Sequence, residues 1–128
     1  MAKELISVNE NWSVLKCLRE IRKQAKDIKR VHSIYVLNNK KILIGRLSLK
    51  DLITSPSKSK IQEIYIPKVD YVHVNDSADE VAKLMSKYDL EAIPVVGDNN
   101  ELLGRITIDD IVDFIKDEAE EDYLLAAG

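Results

Sequence analysis

Apolar and polar positions alternate with two different periods along this chain, and these periods predict strands and helices in a regular order. From Val81 to Tyr88, apolar residues recur at spacings of three and four, which is typical of an amphipathic helix. Ser77 precedes this stretch as a capping residue, and the short apolar segments Tyr71–Val74 and Ala92–Val96 on either side predict strands. A Gly-Asp-Asn-Asn turn then leads into a partner strand, and Thr107 starts a last helix.

The first half of the chain has the same order of patterns. Ile6–Val8 predicts a strand, and Ser13 begins a helix that presents apolar residues at helical spacing. An apolar strand beginning near Ile34, an Asn-Asn-Lys-Lys turn and a second strand follow, and Ser48 caps a short helix. Each half therefore predicts one β-α-β-β-α unit.

The two halves also align residue by residue when they are shifted by 59 positions. Over the 20 positions that begin at Ile34 and Ile93, six pairs are identical and no gap is needed. Two copies of a strand-turn-strand-helix unit are too few for a solenoid, so a pseudo-twofold pair is the better interpretation. The identical pairs are Ile34/Ile93, Val36/Val95, Leu43/Leu102, Gly45/Gly104, Arg46/Arg105 and Asp51/Asp110.

The predicted fold class is therefore α/β, with two β-α-β-β-α units in a pseudo-twofold arrangement. A length of 128 residues with 45% apolar content is enough to bury a core. We expect a first unit over residues 1–54, a linker with a short helix over 55–66, a second unit over 67–117, and an acidic helical extension over 118–128.

Composition and charge exclude several classes of function. A net charge of −3 gives no support for nucleic-acid binding, and a single cysteine excludes an internal disulfide and indicates a reducing compartment. No apolar run approaches the ~20 residues that span a bilayer. No nucleophile-base pair, phosphate-binding loop or Cys/His cluster is present, so the sequence predicts no enzyme. The charge is uneven, however: Lys16–Arg30 holds seven basic residues, and Asp109–Asp122 holds eight acidic ones.

The motif Gly-x-x-Ser/Thr-x-x-Asp occurs at the same place in both units. Ser48 and Asp51 form it in the first unit, and Thr107 and Asp110 form it in the second. As a structural feature, it caps a helix and offsets the helix dipole. As a functional feature, it places a phosphate-attracting helix start beside a carboxylate that can hold ribose hydroxyls. The residues alone leave both alternatives open, and Pro94 in place of Tyr35 predicts that the two clefts are not equivalent.

This unit order, with GRLSLKD and GRITIDD opening the last helix of each unit, resembles the CBS domain, and the two copies resemble a CBS pair. The stretch from Tyr88 onward, with DDIVDFI followed by EAEED, is similar to the end of the cytosolic CBS pair of MgtE-type magnesium channels. The resemblance implies a regulatory module that lies between an amino-terminal domain and a membrane pore. The resemblance also implies that this chain binds adenosine nucleotides at the Ser/Thr-x-x-Asp motif.

Carboxylates in the last part of the chain recur at helical spacing with almost no lysine to relieve their repulsion. A solvated helix face is one interpretation, and weak sites for Mg²⁺, which prefers oxygen ligands, are the other. The resemblance to MgtE-type channels implies regulatory magnesium ions on this helix and on the preceding one. Matched position by position, it implies Asp79, Asp89, Asp110, Asp113, Glu118, Glu121 and Asp122.

We therefore expect a regulatory domain of a magnesium transporter that senses Mg²⁺, with ATP, ADP or AMP as an additional ligand. The alternatives are an adenine-nucleotide sensor in another protein and a dimerisation scaffold without a ligand. The expected partners are a second copy and the pore and amino-terminal domains of the parent chain, with no nucleic acid and no direct membrane insertion. The expected location is the cytoplasmic side of the cell membrane.

Overall fold

The computed structural model describes residues 5–26 and 33–113, and within them the predicted unit occurs twice. A short connecting helix joins the two units, and residues 108–113 begin the last helix. Unit 1 consists of β1 (Ile6–Asn9), α1 (Val14–Ala25), β2 (Ile34–Leu37), β3 (Leu43–Leu47) and α2 (Leu49–Thr54). The connecting helix is α3 (Ile61–Ile64). Unit 2 consists of β4 (Val72–His73), α4 (Ala78–Lys87), β5 (Ala92–Val96), β6 (Leu102–Thr107) and the last helix.

Each unit contains a three-stranded sheet, in the orders β1-β2-β3 and β4-β5-β6. The first pair of strands in each sheet is parallel, because a helix connects them, and the second pair is an antiparallel hairpin. The hairpins have the same register after a shift of 59 residues, and each contains a bulge, at Val36/Leu37 and Val95/Val96. The predicted fold class and the predicted repeat are confirmed.

Each unit has its own apolar core, and a third cluster lies between the sheets. In unit 1, Val14 and Cys17 on α1 pack against the strands, and burial raises the pKa of the Cys17 thiol to about 11. In unit 2, Val81 and Met85 occupy the corresponding face of α4. Between the units, a smaller cluster of Tyr35, Leu43 and Val96 is buried.

The two hairpins also bind each other through a reciprocal pair of backbone hydrogen bonds, which we call the hairpin clasp. The Leu43 N–H donates to the Asn100 carbonyl over 3.1 Å, and the Leu102 N–H donates to the Lys41 carbonyl over 3.3 Å. Leu43 and Leu102 are equivalent in the repeat, as are Lys41 and Asn100. Lys41 and Asn100 both adopt positive φ, 64° and 62°. The contact therefore has the reciprocity that a local twofold axis produces.

The segment that joins the units closes the start of α1. Ser13 caps α1, because its hydroxyl accepts from the Lys16 N–H. The Val14 N–H donates to the Ser59 carbonyl over 2.8 Å, and the Leu15 N–H donates to the Ser57 carbonyl over 3.1 Å. The linker thus satisfies amides that a helix start leaves without partners.

One sequence prediction in unit 2 is wrong in detail. The strand predicted over Tyr71–Val74 is limited to Val72–His73, and Val74 is exposed. The Asp76 carboxylate accepts from the His73 N–H over 2.9 Å, and the Asp76 N–H donates to the His73 carbonyl. These two bonds fix a turn directly after the strand, which carries Val74 into solvent.

Candidate ligand sites

The Ser/Thr-x-x-Asp motif of unit 1 caps α2 and leaves its carboxylate available. The Ser48 hydroxyl accepts from the Asp51 N–H over 3.4 Å, as an N-cap residue does. The Asp51 side chain is exposed in the first helical turn. Within residues 5–26 and 33–113, no hydrogen bond to the Asp51 carboxylate is found, so both of its oxygens can receive a ligand.

The same motif in unit 2 is engaged in both directions. The Thr107 hydroxyl accepts from the Asp110 N–H over 3.2 Å, and the Asp110 carboxylate accepts from the Thr107 N–H over 3.1 Å. The Thr107 N–H, with its hydroxyl and the Arg105 guanidinium as further causes, holds the pKa of Asp110 below its usual range. Asp110 therefore keeps fewer free lone pairs than Asp51, and the two motifs are not equivalent.

One cleft includes Ser48 of the unit 1 motif, and a second cleft lies where the two units meet. The first, of about 390 Å³, runs between α1, the strands of unit 1 and the start of α2, and we call it the unit 1 cleft. The second, of about 350 Å³, lies where the units meet, and we call it the central cleft. Ser33 and Arg46 line both clefts. The unit 1 cleft is lined by Ile21, Ser33, Ile34, Arg46, Leu47, Ser48 and Leu49, and the central cleft by Ser33, Tyr35, Arg46, Lys68, Val69, Asp70, Tyr88, Leu90, Ala92, Ile93 and Pro94.

The two arginines of the repeat occupy different environments despite their identity. Arg46 is exposed at the junction of the clefts, and its Nε donates to the Lys68 carbonyl over 3.2 Å. Arg105 is only 8% exposed. Sequence reasoning did not single out Arg46 or Lys68 as site residues, although the repeated Gly-Arg pair was a signal for the arginine. Arg46 and Lys68 bring two cations to the central cleft, whose lining also includes the acidic Asp70.

The predicted metal residues are spread over three places in unit 2. Asp79 lies in the first turn of α4, and Asp110 and Asp113 lie on the last helix. Asp89 follows the end of α4 with φ 52°, where the Leu90 N–H donates back to the Met85 carbonyl in a helix-ending turn. In the described part of the chain, no group of three or more His, Cys, Asp or Glu residues could hold a metal ion. Glu118, Glu121 and Asp122 lie outside the described residues.

The helices at the ends of the two units leave apolar side chains in water. Leu49 and Ile53 on α2 are 54% and 66% exposed, and Val112 on the last helix, the equivalent of Ile53, is 55% exposed. We call these three residues the apolar face. None of the helices in the described ranges combines the length and the apolar character needed to cross a membrane.

Comparisons with known proteins agree with this architecture. The sequence model of the CBS domain family matches residues 1–58 and again residues 61–117. The magnesium transporter MgtE of Thermus thermophilus is 40% identical over 95% of this chain, and that of Bacillus subtilis is 34% identical over 96%. The chain spans 27% of the length of each of these two relatives.

Solved structures give the same result. The cytosolic domain of the Mg²⁺ channel MgtE in complex with ATP superposes with a TM-score of 0.76 at 40% identity, covering 87% of this chain and 45% of that one. The soluble part of a magnesium transporter superposes with a TM-score of 0.79 at 35% identity, covering 91% and 46%. An inosine-5'-monophosphate dehydrogenase of Helicobacter pylori is 36% identical over 64% of this chain, but the match covers only 18% of that enzyme. The chain belongs to the CBS domain family and is a CBS pair homologous to the cytosolic domain of MgtE.

Proposed function

We propose that this CBS pair is the regulatory part of a magnesium transporter, located on the cytoplasmic side of the membrane, and that it senses Mg²⁺. The observation that carries the proposal is the 40% identity to a magnesium transporter over 95% of the chain. Because the chain covers about a quarter of that relative, the pore and the amino-terminal domain would belong to the rest of the parent protein.

The distribution of carboxylates supports magnesium as the ligand. Asp79, Asp89, Asp110 and Asp113 are all exposed, so water-mediated binding needs no desolvation of a buried charge. Mg²⁺ commonly keeps several waters and binds through one or two carboxylates, which suits sites without a three-residue protein cage. Because Asp110 also accepts from the Thr107 N–H, it would contribute its remaining lone pairs. The other predicted ligands, Glu118, Glu121 and Asp122, add acidic charge within the following segment.

The mechanism we propose is electrostatic. At low Mg²⁺ the acidic surfaces repel one another, and the module opens or separates from neighbouring domains. At high Mg²⁺ ions bridge those carboxylates and favour a compact state. A ligand shifts such an equilibrium only by its difference in affinity for the two states, and several weak sites together provide that difference.

Adenine nucleotide is the second ligand we propose, and the structure favours the unit 1 cleft. The MgtE cytosolic domain was solved in complex with ATP, which supports nucleotide binding by this homologous chain. The unit 1 cleft is lined by Ser48 and Arg46, and the exposed Asp51 follows Ser48 in the first turn of α2. Its volume lies within the range of small-molecule sites, ~300–1,000 Å³. The engaged state of Asp110 makes the motif of unit 2 the weaker candidate.

We also propose that the module forms a homodimer through its apolar face. Three large apolar side chains are exposed on equivalent helices of the two units, and a second copy can bury them. A nucleotide sensor in a different protein and a dimerisation scaffold without ligands remain the alternative functions. Magnesium binding separates the proposal from both of them.

The test compares MgCl₂ with NaCl at matched ionic strength by thermal unfolding of the full chain. One site occupied at ten times its Kd adds about 1.4 kcal/mol, which raises Tm by a few degrees for a domain of this size. Asp113→Asn should reduce the increase, whereas Asp98→Asn, an exposed acid in the β5–β6 turn, should leave it unchanged. If NaCl reproduces the whole increase, the carboxylates are a solvated face and the magnesium-sensing function is wrong.

A further inference from the structure

The exposed side of α1 and the linker beside it carry a dense set of cations for which the proposed function has no role. Cations on α1 recur every three or four residues, on the side opposite the buried Val14 and Cys17. The linker lies against the first turn of α1 through the Ser57 and Ser59 carbonyls, and its own exposed lysines flank those serines. The structure thus joins two segments distant in sequence into a basic face of seven residues: Lys16, Arg19, Arg22, Lys23, Lys26, Lys58 and Lys60.

This basic face has little counter-charge of its own. Among the residues that the structure describes, the one ion pair that it forms joins Lys23 Nζ to Glu20 Oε1 over 3.5 Å. Lys16 Nζ lies 5.2 Å from the centre of the Trp12 ring, which is a further partner but carries no charge. Like charges three and four residues apart destabilise a helix, so an anionic partner along α1 would relieve a repulsion that the fold otherwise keeps.

The same chain contains a segment of matching opposite charge. Five of the six residues of Asp117–Asp122 are acidic, and they follow Asp113 by four to nine residues. When extended, that length spans about 13–32 Å at ~3.3–3.6 Å per residue, against a radius of gyration of about 14 Å for a domain of this size. A segment held on such a short tether reaches an effective concentration in the millimolar range, so even a weak electrostatic contact is populated.

We propose that the basic face docks the acidic segment Asp117–Asp122 of the same chain, and that divalent cations displace it. The carboxylates that pair with α1 at low Mg²⁺ include three of the predicted magnesium ligands, Glu118, Glu121 and Asp122. Magnesium and the basic face therefore compete for the same oxygens. Only this competition rests on the proposed function, because the docking follows from the charges alone.

The test is zero-length carbodiimide crosslinking of the full chain at low ionic strength, followed by mass spectrometry of the joined peptides. Amide bonds should link the acidic segment to Lys16, Lys23 or Lys26, and not to Lys83 or Lys87, which are exposed on the equivalent helix α4. The charge reversal R19E/R22E replaces two attractions by two repulsions. Although single exposed ion pairs are weak, the two changes together should lower the yield of these links about tenfold. The matched reversal K83E/K87E should leave the yield within twofold, and the melting curve of each variant shows that it folds.

Two further arms separate the possible outcomes. Crosslinking an equal mixture of ¹⁴N- and ¹⁵N-labelled chains distinguishes links within one copy from links between copies. If all links join a ¹⁴N chain to a ¹⁵N chain, docking within the chain is overturned and the face is assigned to a second copy. Equal crosslinking to all lysines, or no crosslinking, would overturn the docking altogether. If Mg²⁺ raises Tm but these links are absent, this inference fails and the proposed function stands; if the links form and Mg²⁺ does not lower their yield beyond matched NaCl, the docking stands without the competition.

Discussion

Replacing Ile53 with aspartate should dissociate the proposed homodimer without unfolding the domain. Ile53 is 66% exposed near the end of α2, and its equivalent Val112 is 55% exposed on the last helix. A side chain that already lies mostly in water contributes little to the core, so its loss acts on association. Aspartate adds a charge that would have to be dehydrated at an apolar contact.

The magnitude follows from the exposed fraction. Full burial of an isoleucine side chain is worth ~1.5–3 kcal/mol, so two thirds of Ile53 corresponds to about 1–2 kcal/mol in each copy. A twofold interface contains the residue twice, which gives about 2–4 kcal/mol for the dimer. That difference weakens the dimer Kd by roughly 30- to 1,000-fold, before any cost of burying the carboxylate.

Sedimentation equilibrium over a range of protein concentrations measures this Kd directly. Leu15→Asp is the control, because Leu15 is also an exposed apolar residue, 46% accessible, but lies on a different helix, α1. We expect the control to dimerise like the unmodified chain and Ile53→Asp to be monomeric at the same concentrations. A monomeric unmodified chain, or a Kd for Ile53→Asp within threefold of it, would refute the assignment of this face.

Three other substitutions test the sites and the backbone. Asp51→Ala should weaken ATP binding in a calorimetric titration more than Asp110→Ala does, because the Asp110 carboxylate already accepts a hydrogen bond, whereas that of Asp51 accepts none from the described residues; equal effects would contradict this ranking. The folded-state pKa of Asp110 is lowered, so the ionised Asp110 stabilises the fold above its unfolded-state pKa, and this contribution is lost as pH falls through its folded-state pKa. Asp110→Asn should therefore make Tm decrease less steeply at acid pH. Lys41→Gly should raise the free energy of unfolding in urea by up to about 1 kcal/mol, because Lys41 adopts positive φ, and a loss of stability would show that the side chain contributes more than the strain costs.

Much of the fold could be predicted because its signals are local. The caps at Ser13, Ser48 and Thr107 each accept the expected backbone N–H, and the helical spacing after Ser13 places one side of α1 in the core. The 59-residue repeat predicted two equivalent hairpins, and even their bulges correspond. The caps and the helical face depend on residues within a few positions of one another, and the repeat is visible when the sequence is aligned with itself.

The remaining features depend on contacts between distant segments. Arg46 and Arg105 are identical in the repeat, yet one is exposed and the other buried, because each faces a different neighbour where the units meet. The sequence pattern does not predict that the linker carbonyls accept hydrogen bonds from the first amides of α1. This contact brings Lys58 and Lys60 to the basic face. The apolar pattern predicts a strand over Tyr71–Val74, but the Asp76 turn ends the strand before Val74.

The hairpin clasp has a consequence for the ancestry of the chain. Its two hydrogen bonds join equivalent positions, Leu43 to Asn100 and Leu102 to Lys41, so the contact requires no difference in sequence between the halves. Two separate copies of a single unit could form the same pair of bonds about a true twofold axis. A gene that encoded one such unit would already have specified this geometry as a homodimer, and duplication with fusion would then have preserved it within one polypeptide. The six identities that survive between the halves fit that origin.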